Sequence, residues 1–272
     1  MEAARPAERP DVLDYILRAR AAWNRPNSRE RHAEVIRLYE QALAHDPQSV
    51  EAQAGLAGNL AGRVTDNMSD TAAADIERAE SLVRRAAAVA PRNPDVHWAK
   101  GQVLRAQRRF AEAIPEYEAV LAANPNAVRA LFALGNCKRF TGAIEETIPL
   151  LERAMRLSPH EPRLGVWCHV IGTVHLLQSR TGEAITWIER ARNDSPASPD
   201  IRAWLAAAYA LNGETERAAV ELAEARKLRG ESSFSSIARM RAITFTGMVP
   251  KIRALFEATY FAGLRLAGVP EE

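Results

Sequence analysis

The stretch AVLAANP, residues 119–125, is a helix-favouring run that stops at a proline. Similar alanine-rich runs stop at Pro91 and at Pro159, which lie 34 residues before and 34 residues after the proline of this stretch. Pro47 and Pro196 end runs of the same kind. Because proline interrupts helices, this recurrence predicts a chain of repeated helical units with a period of about 34 residues.

Small and large residues recur at two further fixed positions in these units. Counting back 24 residues from the end of each unit reaches a small residue, at Gly101, Gly135, Gly172 and Ala206. Counting back eight reaches a large one, at Tyr117, Leu151, Ile188 and Leu222. A small residue on one helix lets a second helix approach closely, and the large residue fills the space beside it. The period and these positions resemble the tetratricopeptide repeat (TPR), in which each unit is a pair of helices.

The resemblance implies an all-α fold, a right-handed α-solenoid of antiparallel helix pairs (the TPR superhelix) with a C-terminal capping helix. We expect residues 1–11 to be a disordered Pro/Ala/Arg linker and residues 231–272 to be the capping segment. Between them we expect six TPR-like repeats, which make up residues 12–230 and have the bounds 12–47, 50–91, 94–125, 128–159, 165–196 and 199–230.

The composition favours helices and argues against several classes of protein. Hydrophobic residues make up 47% of the 272 residues but aromatic residues only 6%, a balance that suits closely packed helices better than β-sheets. The net charge of +2 is too small for a dedicated nucleic-acid-binding protein. No stretch is long and apolar enough to cross a membrane, and the N-terminus lacks the apolar core of a signal peptide. We therefore expect a cytoplasmic protein that binds neither nucleic acid nor membrane.

The sequence carries no motif typical of an enzyme. It has no glycine-rich nucleotide-binding motif, no HExxH and no GxSxG. His169 and His175 are six residues apart, which places them on different faces of a helix and makes a shared metal ion unfavourable. The two cysteines, Cys137 and Cys168, cannot form a disulfide framework. We expect no catalytic residues, no metal and no cofactor.

A binding groove is the remaining expectation. In TPR proteins the first helix of each pair lines a concave groove, and the resemblance implies which positions of that helix point inward. The candidate residues for a peptide or partner protein are Trp98, Gln102 and Arg105 in the third repeat, Phe132, Asn136 and Arg139 in the fourth, and His169 and Thr173 in the fifth. Amides pair with a peptide backbone, arginines bind carboxylates and aromatic rings anchor interfaces.

An alternative interpretation of the same positions is structural. Trp98 and Phe132 would then pack between neighbouring helices, and the arginines would only be solvated. The Lys/Asn clamp with which chaperone-binding TPR proteins hold a C-terminal carboxylate is not reproduced, because Trp98/Gln102 and Phe132/Asn136 occupy its positions. The sequence therefore disfavours a receptor for chaperone tails.

The tail after Pro250 departs from the repeat pattern. Its apolar residues recur at helical spacing, at Ile252, Leu255, Phe256, Tyr260 and Leu264. This predicts an amphipathic helix that caps the last repeat, and a helix that docks a partner or forms a homodimer is the alternative.

A narrower resemblance leads to a second hypothesis for the function. The run 251–272 and the phrases at 97–101 and 204–210 resemble bacterial TPR proteins associated with class III adenylate or guanylate cyclases. The leading hypothesis is a non-catalytic scaffold for protein binding. The alternative that this resemblance implies is a regulatory module of, or acting on, such a cyclase.

Overall fold

A computed structural model describes residues 11–230 and 234–272. Every regular element that these residues form is helical, which confirms the predicted all-α class. The predicted linker lies outside the described residues except for Asp11, whose side chain caps the first helix by accepting a hydrogen bond from the backbone N–H of Asp14 at 2.8 Å. The chain divides into two compact units, which we call the N-terminal unit (Met1–Pro125) and the C-terminal unit (Asn126–Glu272).

The part of the N-terminal unit that the structure describes, from residue 11 onward, forms three helix pairs. Its helices are α1 (Val12–Trp23), α2 (Arg29–His45), α3 (Val50–Thr65), α4 (Ala72–Val89), α5 (Pro94–Ala106) and α6 (Phe110–Ala123). Each odd-numbered helix packs against the helix that follows it, and α3 also packs against α5. Asn93 caps α5 ahead of Pro94, since its side-chain oxygen accepts from the backbone N–H of Asp95 at 2.8 Å.

The C-terminal unit begins with three further pairs. Its first helices are α7 (Val128–Thr141), α8 (Thr147–Leu157, preceded by a 3₁₀ turn at Ile144–Glu146), α9 (Leu164–Leu177), α10 (Thr181–Asp194), α11 (Pro199–Leu211) and α12 (Thr215–Arg229). Again each odd-numbered helix packs against the next. Each of the six predicted repeats thus contains two helices, while the division into repeats stays a prediction.

The small and large residues of the sequence pattern meet inside the helix pairs. A Cβ atom added to Gly101 on α5 would lie 2.6 Å from the ring of Tyr117 on α6. One added to Gly172 on α9 would lie 2.5 Å from the side chain of Ile188 on α10. The prediction that a glycine makes room for the large residue of the second helix is therefore confirmed at these two pairs.

Thr147 departs from the alanine that other repeats carry at its position, and it is fully buried. Its hydroxyl donates a hydrogen bond of 3.1 Å to the backbone carbonyl of Gly135 on α7. This bond satisfies the polar group inside the pair, so the helices still pack.

The last part of the chain folds onto the inner helices of its own unit. It forms α13 (Ile237–Thr244), α14 (Pro250–Phe256), a π-helical turn (Glu257–Phe261) and α15 (Ala262–Leu266). We call residues 250–266 the C-terminal helix run. Its α14 contacts α7, its π-helical turn contacts α9 and α11, and its α15 packs along α11.

The contact with α11 is close because both helices offer small residues. A Cβ atom on Gly263 would lie 2.4 Å from the carbonyl oxygen of Ala207, and Ala203 and Ala210 continue the small surface of α11. The apolar face of the helix run is buried here, with Ile252 and Leu264 fully enclosed. A homodimer through this helix would need the same face, so the structure does not support that alternative.

Candidate binding surfaces

In the N-terminal unit the three candidate residues lie on one stripe of α5. Trp98 is half-buried, with its ring centroid 5.6 Å from that of Tyr117 and its indole nitrogen over Gly58 of α3. It therefore packs between helices, as the structural alternative expects, although the residue as a whole is only half-buried.

Gln102 and Arg105 are buried, with 4% and 9% of their surface exposed. A guanidinium N–H of Arg105 donates to the amide oxygen of Gln102 at 2.8 Å, and the buried Nε of Arg105 has no hydrogen-bond partner in the described part of the chain. Arg105 is thus not a merely solvated arginine.

An arginine that the sequence did not point to joins the first helices of this unit. Nη2 of Arg20 on α1 lies 2.6 Å from a carboxylate oxygen of Glu51 on α3 and 3.3 Å from one of Asp95 on α5. These three side chains are exposed, so each pair contributes little to stability. They nevertheless show that α1, α3 and α5 present one common face.

In the C-terminal unit the candidate aromatic residue is part of the core. Phe132 on α7 stacks on Trp167 on α9, with ring centroids 5.8 Å apart and planes 18° from parallel. Only 9% of Phe132 and 2% of Trp167 is exposed. At this position the structure therefore agrees with the structural alternative.

The other four candidates of this unit lie on α7 and α9, and we call them the polar set: Asn136, Arg139, His169 and Thr173. Arg139 and Thr173 are buried, whereas Asn136 and His169 are half-buried. Nη1 of Arg139 donates to the hydroxyl of Thr173 at 2.5 Å, and that hydroxyl donates to the carbonyl of Val170 at 2.8 Å. The guanidinium carbon of Arg139 lies 4.3 Å from the ring centroid of Phe140. The set therefore links α7 with α9.

Three buried atoms of the polar set have no hydrogen-bond partner in the described part of the chain. They are Oδ1 of Asn136, Nε of Arg139 and Nδ1 of His169. No carboxylate of the described residues pairs with Arg139, whose polar contact is the hydroxyl of Thr173. Buried polar groups are usually satisfied, so three unsatisfied atoms on one set are an unusual concentration.

Burial also changes the protonation of the polar set. It lowers the pKa of Arg139 to about 10, because the charged form loses its hydration. It lowers the pKa of His169 to about 4, and the nearby positive charge of Arg139 lowers it further. At neutral pH the set therefore holds one cation and one neutral imidazole.

The C-terminal helix run reaches the residues on both sides of the polar set. The backbone N–H of Val249, just before α14, donates to the carbonyl of Phe140 at 3.3 Å. At the other side, the ring of His169 meets Trp204 edge-on at 6.1 Å, and Trp204 stacks on Tyr260 at 4.0 Å. The inner face of this unit is therefore occupied by the chain itself.

The sequence did not predict that the C-terminal helix run would pack on α7, α9 and α11. The sequence signal that fits it is the glycine in the tail, Gly263, together with the small stripe of Ala203, Ala207 and Ala210 on α11. Two small surfaces of this kind allow two helices to approach closely.

A cavity of about 470 Å³ lies between α4, α5 and α6 of the N-terminal unit. Several of its polar lining residues pair with one another. Lys100 lies 2.7 Å from Glu116, and the amide of Gln107 donates to Glu80 at 2.6 Å. The cavity therefore offers a ligand few groups without a partner.

Within residues 11–230 and 234–272 no three His, Cys, Asp or Glu side chains come together in a way that could hold a metal ion. No helix in the same ranges has the length and apolar character needed to cross a membrane.

Part of the sequence matches a known protein family. The tetratricopeptide repeat family model matches residues 69–120 and 99–162. None of the curated proteins matches the sequence.

Among solved structures, the fold is similar to that of the APC/C hetero-tetramer Cut9–Hcn1, at 13% identity and a TM-score of 0.64, over 80% of this chain and 40% of that one. It is similar to PilW, a widely conserved type IV pilus biogenesis factor, at 16% identity and a TM-score of 0.59, over 86% of this chain and 98% of that one. Pseudomonas aeruginosa PilF is similar at 16% identity and a TM-score of 0.56, over 85% of this chain and 96% of that one. At these identities the likeness concerns the fold alone. The tetratricopeptide repeat family match over residues 69–162 agrees with the helical-repeat fold that this chain shares with these structures.

Proposed function

We propose that the protein is a non-catalytic scaffold that binds a peptide or a partner protein through the first helices of its repeats. The observation that supports this most directly is the stripe of Trp98, Gln102 and Arg105 on α5, where a half-buried tryptophan shares a helix face with a buried and incompletely bonded guanidinium. A folded domain gains nothing in stability from an unsatisfied buried donor, so a ligand that accepts from it explains its presence.

The chemistry of the stripe suits a protein ligand. The half-buried Trp98 provides a rigid apolar anchor at low entropic cost. The amide of Gln102 both donates and accepts, which matches the backbone of an extended peptide. The guanidinium of Arg105 binds carbonyl or carboxylate oxygens. In the C-terminal unit the C-terminal helix run packs on the first helices α7, α9 and α11.

Photo-crosslinking tests this proposal. A photoreactive amino acid at position 98 is expected to capture a partner, whereas the same residue at Val89, which is exposed on α4, is not. With the captured partner purified, Trp98→Ala should weaken binding about fivefold or more while the helical content stays unchanged. Val89→Ala serves as the control. If both variants bind the partner with the affinity of the unchanged protein, α5 is not part of the binding surface.

A second candidate function is regulation of a class III nucleotide cyclase. What favours it is the resemblance of residues 251–272 to the tails of cyclase-associated TPR proteins. The neighbouring coding sequence offers a direct test, since a cyclase encoded next to this chain is expected under this hypothesis. If one is present, adding the purified protein to it should change its rate of cyclic nucleotide formation, and an unchanged rate would argue against the hypothesis.

A further inference from the structure

The first helix, α1, carries apolar side chains on two faces. Ile16 and Ala19 are buried on the face that is turned toward the rest of the unit. On another face Leu13 and Leu17 stand one helical turn apart and are 56% and 52% exposed. Ala21, which is also exposed, extends this second face by a further turn. We call these three exposed residues the α1 stripe.

The described chain leaves the α1 stripe uncovered. Single exposed apolar side chains are ordinary on protein surfaces. In residues 11–230 and 234–272, however, Leu13 and Leu17 are the only two exposed large hydrophobic residues that stand four positions apart on one helix. Residues 1–10 include one large apolar side chain, that of Met1, and so bring little that could cover two leucines. The stripe therefore fits an apolar surface on another molecule.

The charges beside the stripe match a second copy of the same helix. One flank carries Asp14 and Arg18, whose charged atoms lie 3.5 Å apart and whose side chains are well exposed. On the other flank Arg20 is already paired with Glu51 and Asp95. The first flank thus places an acid before a base along the helix. Because an antiparallel copy reverses this order, its base comes to lie beside the acid and its acid beside the base.

We propose that α1 packs antiparallel against α1 of a second copy of this chain, with Leu17 at the two-fold axis. Leu13 of each copy then lies against Ala21 of the other, because both residues are four positions from Leu17. Asp14 of each copy pairs with Arg18 of the other. Two leucines per copy form a small interface, which corresponds to a weak dimer with a dissociation constant of roughly 10–500 µM. This self-association is independent of the proposed binding function, which is tested on α5.

Sedimentation equilibrium of the full chain tests the interface. The unchanged protein should shift from monomer to dimer as its concentration rises from about 5 µM to about 1 mM. Leu17→Glu places two carboxylates at the axis and should weaken the dimer at least about tenfold. Leu266→Glu is the matched control, because Leu266 is 62% exposed in the C-terminal helix run, and it should leave the dimer unchanged. A monomer at every concentration, or a dimer that Leu17→Glu does not weaken, would overturn the proposal.

Charge reversal tests the antiparallel register and does not depend on the folding of Leu17→Glu. Asp14→Arg and Arg18→Asp each bring like charges together across the axis, so each variant alone should dimerise about threefold more weakly or worse. In an equal mixture of the two variants every cross pair again joins an acid and a base, and dimers should form about as tightly as in the unchanged protein.

Mixing leaves the charges within each helix as they were, so a gain on mixing reports contacts between copies. Far-UV circular dichroism of each variant checks that its helical content is that of the unchanged protein. If the mixture dimerises no better than the separate variants, the pairing of Asp14 with Arg18 across the axis is wrong and the proposal is overturned.

Discussion

Trp204 and Tyr260 stack face to face, with ring centroids 4.0 Å apart and ring planes 20° from parallel. Trp204 stands on α11, and Tyr260 stands in the C-terminal helix run. Phe256 meets the same tryptophan edge-on at 5.4 Å. Because aromatic side chains bury large apolar areas, this contact makes the end of the chain part of the core of the C-terminal unit.

Removing the ring of Tyr260 should therefore destabilise the protein. Tyr260 is 5% exposed, and Tyr260→Ala is expected to lower the free energy of unfolding by about 3 kcal/mol or more, through lost burial and a residual cavity. Chemical denaturation followed by near-UV circular dichroism measures this change. Leu266→Ala in the same helix run is the control, because Leu266 is 62% exposed and its loss should cost about 0.5 kcal/mol or less. Similar losses in the two variants would contradict the packing described for this helix run.

The glycine of a helix pair should not tolerate a methyl group. Gly101→Ala places a Cβ atom 2.6 Å from the ring of Tyr117 and is expected to lower the free energy of unfolding by about 1–3 kcal/mol. Gly182→Ala has open space and should instead stabilise its helix by about 0.5–1 kcal/mol. Thermal unfolding of the two variants compares these effects. A stabilising Gly101→Ala would show that the pair is not close-packed there.

Glu221 is buried on α12 and accepts from Arg192 on α10 and from Arg202 on α11, each at 2.7 Å. Glu221→Ala removes the acceptor shared by two guanidinium groups that are themselves partly exposed. We expect a loss of about 1–3 kcal/mol in the free energy of unfolding, measured by urea denaturation. Glu224→Ala, which removes an exposed carboxylate 3.6 Å from Lys227, should change it by about 0.5 kcal/mol or less. If the two alanine variants unfold alike, the buried bridge does not join these helices.

The tail should loosen in acid. Hydrogen bonds from Arg265 and then Arg241 lower the pKa of Glu271 from its ordinary value of 4.5 to about 2, and Arg241 likewise lowers the pKa of Glu257. A carboxyl with a depressed pKa in the folded state contributes stability that is complete above about pH 4.5 and is lost as the pH falls toward 2.

Hydrogen exchange at Ile237 and Ala238 reports on this change, because their amides donate to the carbonyls of Pro270 and Glu271. After correction for the intrinsic pH dependence of exchange, their protection should fall between pH 4.5 and 2. In Glu271→Gln the protection should already be lower at neutral pH and should change less in acid. If protection in Glu271→Gln depends on pH in the same way as in the unchanged protein, these ion pairs do not stabilise the packing of the tail.

The local pattern of the sequence was sufficient for the helix pairs. Pro94 with its Asn93 cap, and Gly101 with Tyr117 sixteen residues later, act within a single repeat. Helix starts, helix ends and the fit of a small residue to a large one depend on neighbours close in the chain, so they can be predicted from spacing alone.

The candidate surface could be predicted only in part. The stripe positions of α5 were predicted, but the stacking of Phe132 on Trp167 was weighed only as an alternative. Whether an aromatic residue on a first helix faces a neighbour or a ligand depends on what stands opposite, which periodicity does not record. Arg20 was missed for the same reason, since its partners Glu51 and Asp95 lie on other helices.

The sequence by itself determined that this chain forms paired helices and ends in an amphipathic one, because proline spacing and apolar period act locally. Only the tertiary structure decided that the final helix lies on α7, α9 and α11, and that it leaves Arg139 buried without a counterion. An amphipathic pattern indicates only that one face of a helix must be buried. Which surface that face packs against depends on contacts between residues far apart in the chain, such as the close packing of Gly263 against Ala207.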